Sequence, residues 1–176
     1  MSKNKEILII ENPERIDALV NKKRSLPSDY IPGDLVVVNT LHKVHNDEAK
    51  MLRKEAADAL EELFNDAKTH GYEFWATSGY RSYDRQVSIF TNYSKEHGEE
   101  QANRFSARPG QSEHQTGLTM DVSLASLDYK LTEDLGETVE GKWLADNGHK
   151  HGFIIRYQKG TEPITGYKYE PWHIRY

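Results

Sequence analysis

Ser112-Glu113-His114-Gln115-Thr116-Gly117-Leu118-Thr119-Met120-Asp121 is the stretch on which the reading of this chain turns, and Glu170-Pro171-Trp172-His173 answers it much later. His114, Asp121 and His173 carry imidazole nitrogens and a carboxylate, donors that suit zinc. Three protein ligands leave a fourth position for water, as hydrolytic zinc sites require. A metal there makes hydroxide available near neutral pH, and Glu170 stands three residues before His173 as a proton acceptor. The intervening chain then serves to bring residue 173 beside residues 114 and 121.

Residues 167–176 are rich in aromatics and read as a strand. Residues three apart in a regular strand point to opposite faces, so Glu170 and His173 would diverge. Pro171 lies between them and cannot donate to a ladder. An irregular strand that turns both side chains to one site is therefore expected. Upstream, Leu118 to Ser123 reads as a strand with Asp121 inside it. An acid among Leu118, Met120 and Val122 is costly to bury unless it is paired or bound to a cation. A lone His-Asp pair or a lone Glu-x-x-His is ordinary surface chemistry. Their combination with Gly110, Gly117 and Ser78-Gly79-Tyr80-Arg81 is what makes the pattern specific.

Further upstream, Leu52, Ala56, Leu60, Leu63 and Ala67 recur at spacings of four and three, and predict one helix over residues 47–70, capped by Asn46 or Asp47 and ended by Gly71. Its charged face is a solvated one. A strand over 72–77 follows and delivers Arg81, whose guanidinium can meet a carboxylate or a developing oxyanion. Ser82 caps a second helix to about residue 96, with Val87, Phe90 and Tyr93 inward and Gln86 on a face that can reach a cleft. A short helix over 99–105 leads to a loop in which Ser106 or Ser112 can hold a substrate carboxylate or merely cap local backbone. Downstream, a helix over 138–151, a strand over 153–156 and the aromatic strand complete one domain over 26–176. Residues 1–25 read as an irregular N-terminal segment.

The length of 176 residues suits a single domain. A net charge of −5 and the lack of a basic stripe speak against nucleic-acid binding. With no cysteine, disulfides and thiolate metal sites are excluded. No apolar run of about 18 residues is present, so no membrane span is expected. Ile7-Leu8-Ile9-Ile10 is too short for a signal peptide.

Ser112-x-His114-x-x-Gly117-x-x-x-Asp121 with Glu170-x-Trp172-His173 resembles the zinc D-Ala carboxypeptidases of the VanY and VanXY type, and among them the LdcB-type L,D-carboxypeptidases. Ser78-Gly79-Tyr80-Arg81-Ser82, Pro109-Gly110, Gly152-Phe153-Ile154-Ile155-Arg156-Tyr157 and Ile164-Thr165-Gly166-Tyr167 extend the likeness over about residues 26–176. Thr119 departs from it where alanine is common, and Gln158 where proline is common.

The resemblance implies an α+β, hedgehog/DD-peptidase-like single domain, with an antiparallel sheet, helices on one side and a zinc cleft at the sheet edge. It implies one Zn²⁺ on His114, Asp121 and His173, Glu170 as base, Arg81 at the oxyanion, and Gln86 and Ser112 near the substrate. The expected reaction is removal of the C-terminal D-alanine from peptidoglycan stem tetrapeptides. The rivals are a D,D-carboxypeptidase or dipeptidase acting on pentapeptide or D-Ala-D-Ala, and a non-catalytic, zinc-stabilised cell-wall binding module. Glu170 and Arg81 speak against the last, because a structural zinc needs neither. A monomer is expected. The substrate class favours an extracytoplasmic piece of a longer exported precursor over a cytoplasmic protein.

Overall fold

The apolar stripe read from the sequence is the floor of the molecule. In the computed structural model, which describes residues 7–176, Leu52, Ala56, Leu60, Leu63 and Ala67 are all fully buried. The helix begins later than its periodicity suggests. Residues 48–50 form a 3-10 turn, capped by Asn46 Oδ1 accepting from the Ala49 amide at 2.9 Å. Strand β4 (Met51–Arg53) pairs antiparallel with β3 (Leu35–Val37), and helix α1 runs only over Lys54–Thr69. The tertiary pairing with β3 overrides helical propensity at residues 51–53.

Strand β5 (Trp75–Ser78) starts three residues later than expected. It leads through Ser82, whose hydroxyl accepts from the Arg85 amide, into α2 (Tyr83–His97) and then α3 (Glu99–Phe105). On α2 the buried line is Gln86 and Phe90, while Val87 and Tyr93 are exposed, contrary to the expectation that both point inward. Tyr93 packs edge-on to Phe105 of α3 instead. Strand β6 (Thr119–Ser123), helix α4 (Val139–Asn147), strand β7 (Ile154–Tyr157), the short helix α5 (Glu162–Thr165) and strand β8 (Glu170–Arg175) complete the order.

The main sheet is antiparallel throughout, in the order β5-β6-β8-β7. Its period of two sorts the side chains. Met120, Val122 and Ile174 join Leu60, Leu63 and Phe74 in the core, with Leu135, Leu144 and Phe153 closing its far side. The opposite face holds Asp121 and His173. Two expectations are corrected here. The cleft lies over the two inner strands, β6 and β8, rather than at the sheet edge. Helices also stand on both sides, since α2 and α3 wall the cleft while α1 and α4 back the core.

The N-terminal segment expected over 1–25 is more ordered than its prolines suggested, although its first six residues lie outside the described ones. Strands β1 (Leu8–Ile9) and β2 (Arg24–Ser25) pair in parallel, and Ile10, Val20 and Leu26 form a small second core. Arg175 ties the segment to β8 by donating to the carbonyls of Ile16 at 2.7 Å and Ala18 at 3.2 Å. No helix among the described residues is long and apolar enough to cross a membrane.

Candidate active site

Asp121 and His173 are register partners on adjacent strands, so their side chains leave the same face of the sheet together. His114 approaches from a 3-10 turn over Glu113–Thr116, ended by Gly117 at φ +66°. The positive φ suits glycine, and a β-carbon there would press on Leu35 and Arg53 at about 3 Å. One donor atom from each of His114, Asp121 and His173 lies within 4.8 Å of the others. All three residues are buried.

Each imidazole has one nitrogen held and one turned toward Asp121. His114 Nδ1 donates to the Gly79 carbonyl at 2.7 Å, leaving Nε2 at 3.4 Å from Asp121 Oδ2. His173 Nε2 meets Glu113 Oε2 at 3.1 Å, leaving Nδ1 at 3.1 Å from Asp121 Oδ1. Such outer partners fix the ring and the tautomer of a metal-binding histidine. The donor set and its supports therefore fit zinc: two imidazole nitrogens and one carboxylate, with one donor atom of each close to the others.

Burial favours the neutral form of His114, beyond what Asp121 restores. His173 behaves oppositely. Burial disfavours its charge, yet its bonds to Asp121 and Glu113 outweigh that and raise it to about 10. Asp121 is drawn well below the carboxylate range by the two histidines, against the effect of burial. A metal held at His173 Nδ1 would take the place of a proton, so its uptake would release protons.

Glu113 and Gly79 are the functional positions that sequence reasoning passed over. Glu113 lies between Ser112 and His114 and is almost wholly buried, and a buried acid beside a histidine is itself a signal. Gly79 sits where a β-carbon would meet the Met51 carbonyl at 2.5 Å.

Strand β8 has the irregularity expected of it. Ile155 pairs with Ile174, but Tyr157 pairs with Glu170, so two steps on β7 span four on β8. That bulge turns Glu170 and His173 to one cleft, with Glu170 Oε2 at 3.7 Å from His173 Nδ1. Burial raises the Glu170 carboxyl to about 7, against the attraction of His173 and with the repulsion of Asp121.

Arg81 reaches the same cleft of about 400 Å³. Its Nη1 donates to Gln86 Oε1 at 2.9 Å and its Nη2 to Ser78 Oγ at 3.1 Å. Gln86, expected near the substrate, meets the cleft through Arg81 rather than lining it directly. It is almost fully buried behind Arg81, and its amide nitrogen is taken by Ala107 O at 2.6 Å and Ser106 Oγ at 3.3 Å. Ser106 and Ser112 both line the cleft, as do Tyr157 and Tyr167. Ser112 makes no side-chain capping bond, although it precedes the 3-10 turn.

The family described as D-alanyl-D-alanine carboxypeptidase, VanY, matches residues 49–176. The chain belongs to the VanY family. YodJ of Bacillus subtilis (strain 168), which bears a carboxypeptidase name, is 53% identical over 168 residues and 95% of this chain. A D-alanyl-D-alanine carboxypeptidase of Enterococcus faecium is 33% identical over 90% of the chain. This VanY-family chain spans 62% of the length of the first and 50% of the second. Among solved structures, that of the LdcB LD-carboxypeptidase superposes with a TM-score of 0.93 at 52% identity, covering 97% of this chain and 80% of its own. A mutant of the D,D-pentapeptidase VanY from a VanB-type cassette, in complex with Zn(II), gives 0.69 at 28% identity, covering 90% and 86%.

Proposed function

We propose that the chain is a zinc metallopeptidase that removes the C-terminal D-alanine from peptidoglycan stem tetrapeptides, acting at the cell envelope as an L,D-carboxypeptidase. The observation that carries this reading is the placement of Glu170. An acid raised to about 7 shares a cleft with three convergent metal donors and a guanidinium. A purely structural ion needs no such acid, and a structural zinc is closed by four ligands. The L,D preference is supported by the greater likeness to LdcB than to the D,D-pentapeptidase.

His114, Asp121 and His173 would hold the zinc, which when bound supplies a Lewis acid and water of lowered pKa. Glu170 takes the proton of the attacking water and returns it to the leaving amine of D-alanine. Its Oε2 lies 3.7 Å from His173 Nδ1, beside the atoms that would hold the zinc, so one carboxylate can serve both halves of that task. Arg81, braced by Gln86 and Ser78, donates to the oxygen that becomes negative as the scissile carbonyl is attacked. Ser106 and Ser112 offer hydroxyls to the terminal carboxylate. The buried cleft floor keeps bulk water from the reacting atoms.

The D,D reading retains the support of the Enterococcus relatives, named D-alanyl-D-alanine carboxypeptidases. One experiment separates the two. Zinc-loaded protein is given stem tetrapeptide and pentapeptide side by side, with a chelator control, and D-alanine is measured. Release from tetrapeptide alone is expected. Release from pentapeptide alone moves the specificity to the D,D class, and release from neither refutes the carboxypeptidase reading.

A further inference from the structure

We propose that Arg156 is a positioning residue for the metal, acting through Glu113 on the ring of His173. The proposal rests on the zinc reading of the three-donor cluster. Arg156 Nε donates to Glu113 Oε1 at 2.8 Å, and the other oxygen of the same carboxylate meets His173 Nε2 at 3.1 Å. With Oε1 occupied by the guanidinium, Oε2 is the atom left to face the imidazole. His173 Nε2 is then the donor nitrogen, and Nδ1 is left toward Asp121 and the metal.

Three further observations favour Arg156 in this role. It lies inside the register shift between β7 and β8, the same bulge that turns Glu170 into the cleft, and bulges re-aim side chains. The ring of the next residue, Tyr157, lies 4.7 Å from that of His173, with the Arg156 guanidinium 5.3 Å from the centre of the tyrosine. One short run of β7 thus fixes the imidazole at its edge through Glu113 and at its face through Tyr157. The other nearby cation, Arg175, comes only to 3.9 Å from Glu113 and spends its hydrogen bonds on Ile16, Ala18, Thr116 and Tyr176. Arg156 does not line the cleft of about 400 Å³, so its effect on substrate should be indirect.

The test is zinc affinity, measured by competition with a chromophoric chelator, for the wild type, Arg156→Met, Glu113→Gln and the double variant. Loss of a partner in the outer shell of a metal site typically weakens binding about 10–100-fold. A loss of that size is expected for Arg156→Met, with little further loss when it is added to Glu113→Gln, because both substitutions break one chain of contacts. The KM of the zinc-saturated variant should match that of the wild type. Unchanged zinc affinity in Arg156→Met overturns the proposal. So does an equal loss with and without Glu113, which places the effect elsewhere. If circular dichroism finds Arg156→Met unfolded, Arg156→Gln takes its place. It removes the charge and the Nε–H aimed at Oε1 while keeping a polar side chain, so wild-type affinity there is equally fatal. A wild type that binds no zinc sinks the metal reading itself, an outcome distinct from a wild type and variant that bind alike.

Discussion

Replacing Glu170 by glutamine should stabilise the metal-free protein while ending its chemistry, and the size of the gain should follow pH. Glutamine keeps the shape of the side chain and removes its charge. In the fold the Glu170 carboxyl is raised from 4.5 to about 7, chiefly by burial. Because the folded value lies above the unfolded one, the unfolded chain gives up its proton first as pH rises. The native state therefore loses ground between pH 4.5 and 7 and no more above that. At about 1.4 kcal/mol per unit, the ionised carboxylate costs the fold about 3 kcal/mol at pH 8 and about 1 kcal/mol at pH 5. Urea unfolding of both proteins in excess chelator, at pH values spanning about 5 to 8, gives the difference directly. The glutamine variant should be more stable at every point, by a margin that grows with pH. With zinc bound, a dication beside the carboxylate favours its charged form and the margin should shrink. A difference that does not vary with pH, or a glutamine variant less stable at pH 8, refutes the account of Glu170 as a strained, poised acid.

Other substitutions probe the remaining parts. Arg81→Lys keeps a charge but cannot brace both Gln86 and Ser78, and kcat for D-alanine release should fall about 10²–10³-fold; an unimpaired kcat removes Arg81 from the chemistry. His114→Ala should abolish stoichiometric zinc by elemental analysis, and with it the gain of about 4 kcal/mol that zinc at about 1,000 times its Kd confers on the wild type. Gly79→Ala drives a methyl against the Met51 carbonyl and the Met120 side chain, and should cost about 1–3 kcal/mol in chemical unfolding. The same variant should weaken zinc binding, because residue 79 must shift away from Met51 and its own carbonyl is the one that holds His114 Nδ1; normal affinity argues that His114 needs no such support.

Much of this molecule is legible before any coordinates, for identifiable reasons. His114, Asp121, His173, Glu170 and Arg81 stand out through their motifs and the family resemblance those motifs carry, Asp121 also because an acid amid apolar neighbours is costly to bury, and the structure brings all five into one cleft. The need for an irregular strand at Pro171 follows from parity, once Glu170 and His173 have to share one site, and from a proline that cannot donate to a ladder. Where local reasoning failed, a distant partner had decided the matter. Met51 to Arg53 continue a helical apolar pattern, yet Val36 and its neighbours claim them as a strand. Val87 and Tyr93 are apolar enough for a core, but Val87 is exposed and Tyr93 lines the cleft, packed on Phe105. Gln86 is expected near the substrate from the resemblance and from its place one turn into α2, and its amide oxygen instead accepts from Arg81, bracing the guanidinium. Glu113 escaped notice because an acid beside a histidine is common on surfaces; its partner Arg156 is 43 residues away.

The order β5-β6-β8-β7 carries a consequence for how the chain reaches its native state. Strand β8 is the last of the sheet to be synthesised, yet it sits between β6 and β7, and among the described residues β7 has no other neighbour in the sheet. Until residues 170–175 are available, β7 has nothing to pair with and β6 has one open edge. Closing the sheet joins segments some fifty residues apart, the kind of long-range pairing that slows folding. The same insertion delivers His173 and Glu170 to the partners waiting on β6 and its preceding turn. Completion of the sheet and convergence of His114, Asp121 and His173 thus both require β8, and a nascent chain that lacks it presents an unpaired strand edge in place of the three-donor cluster.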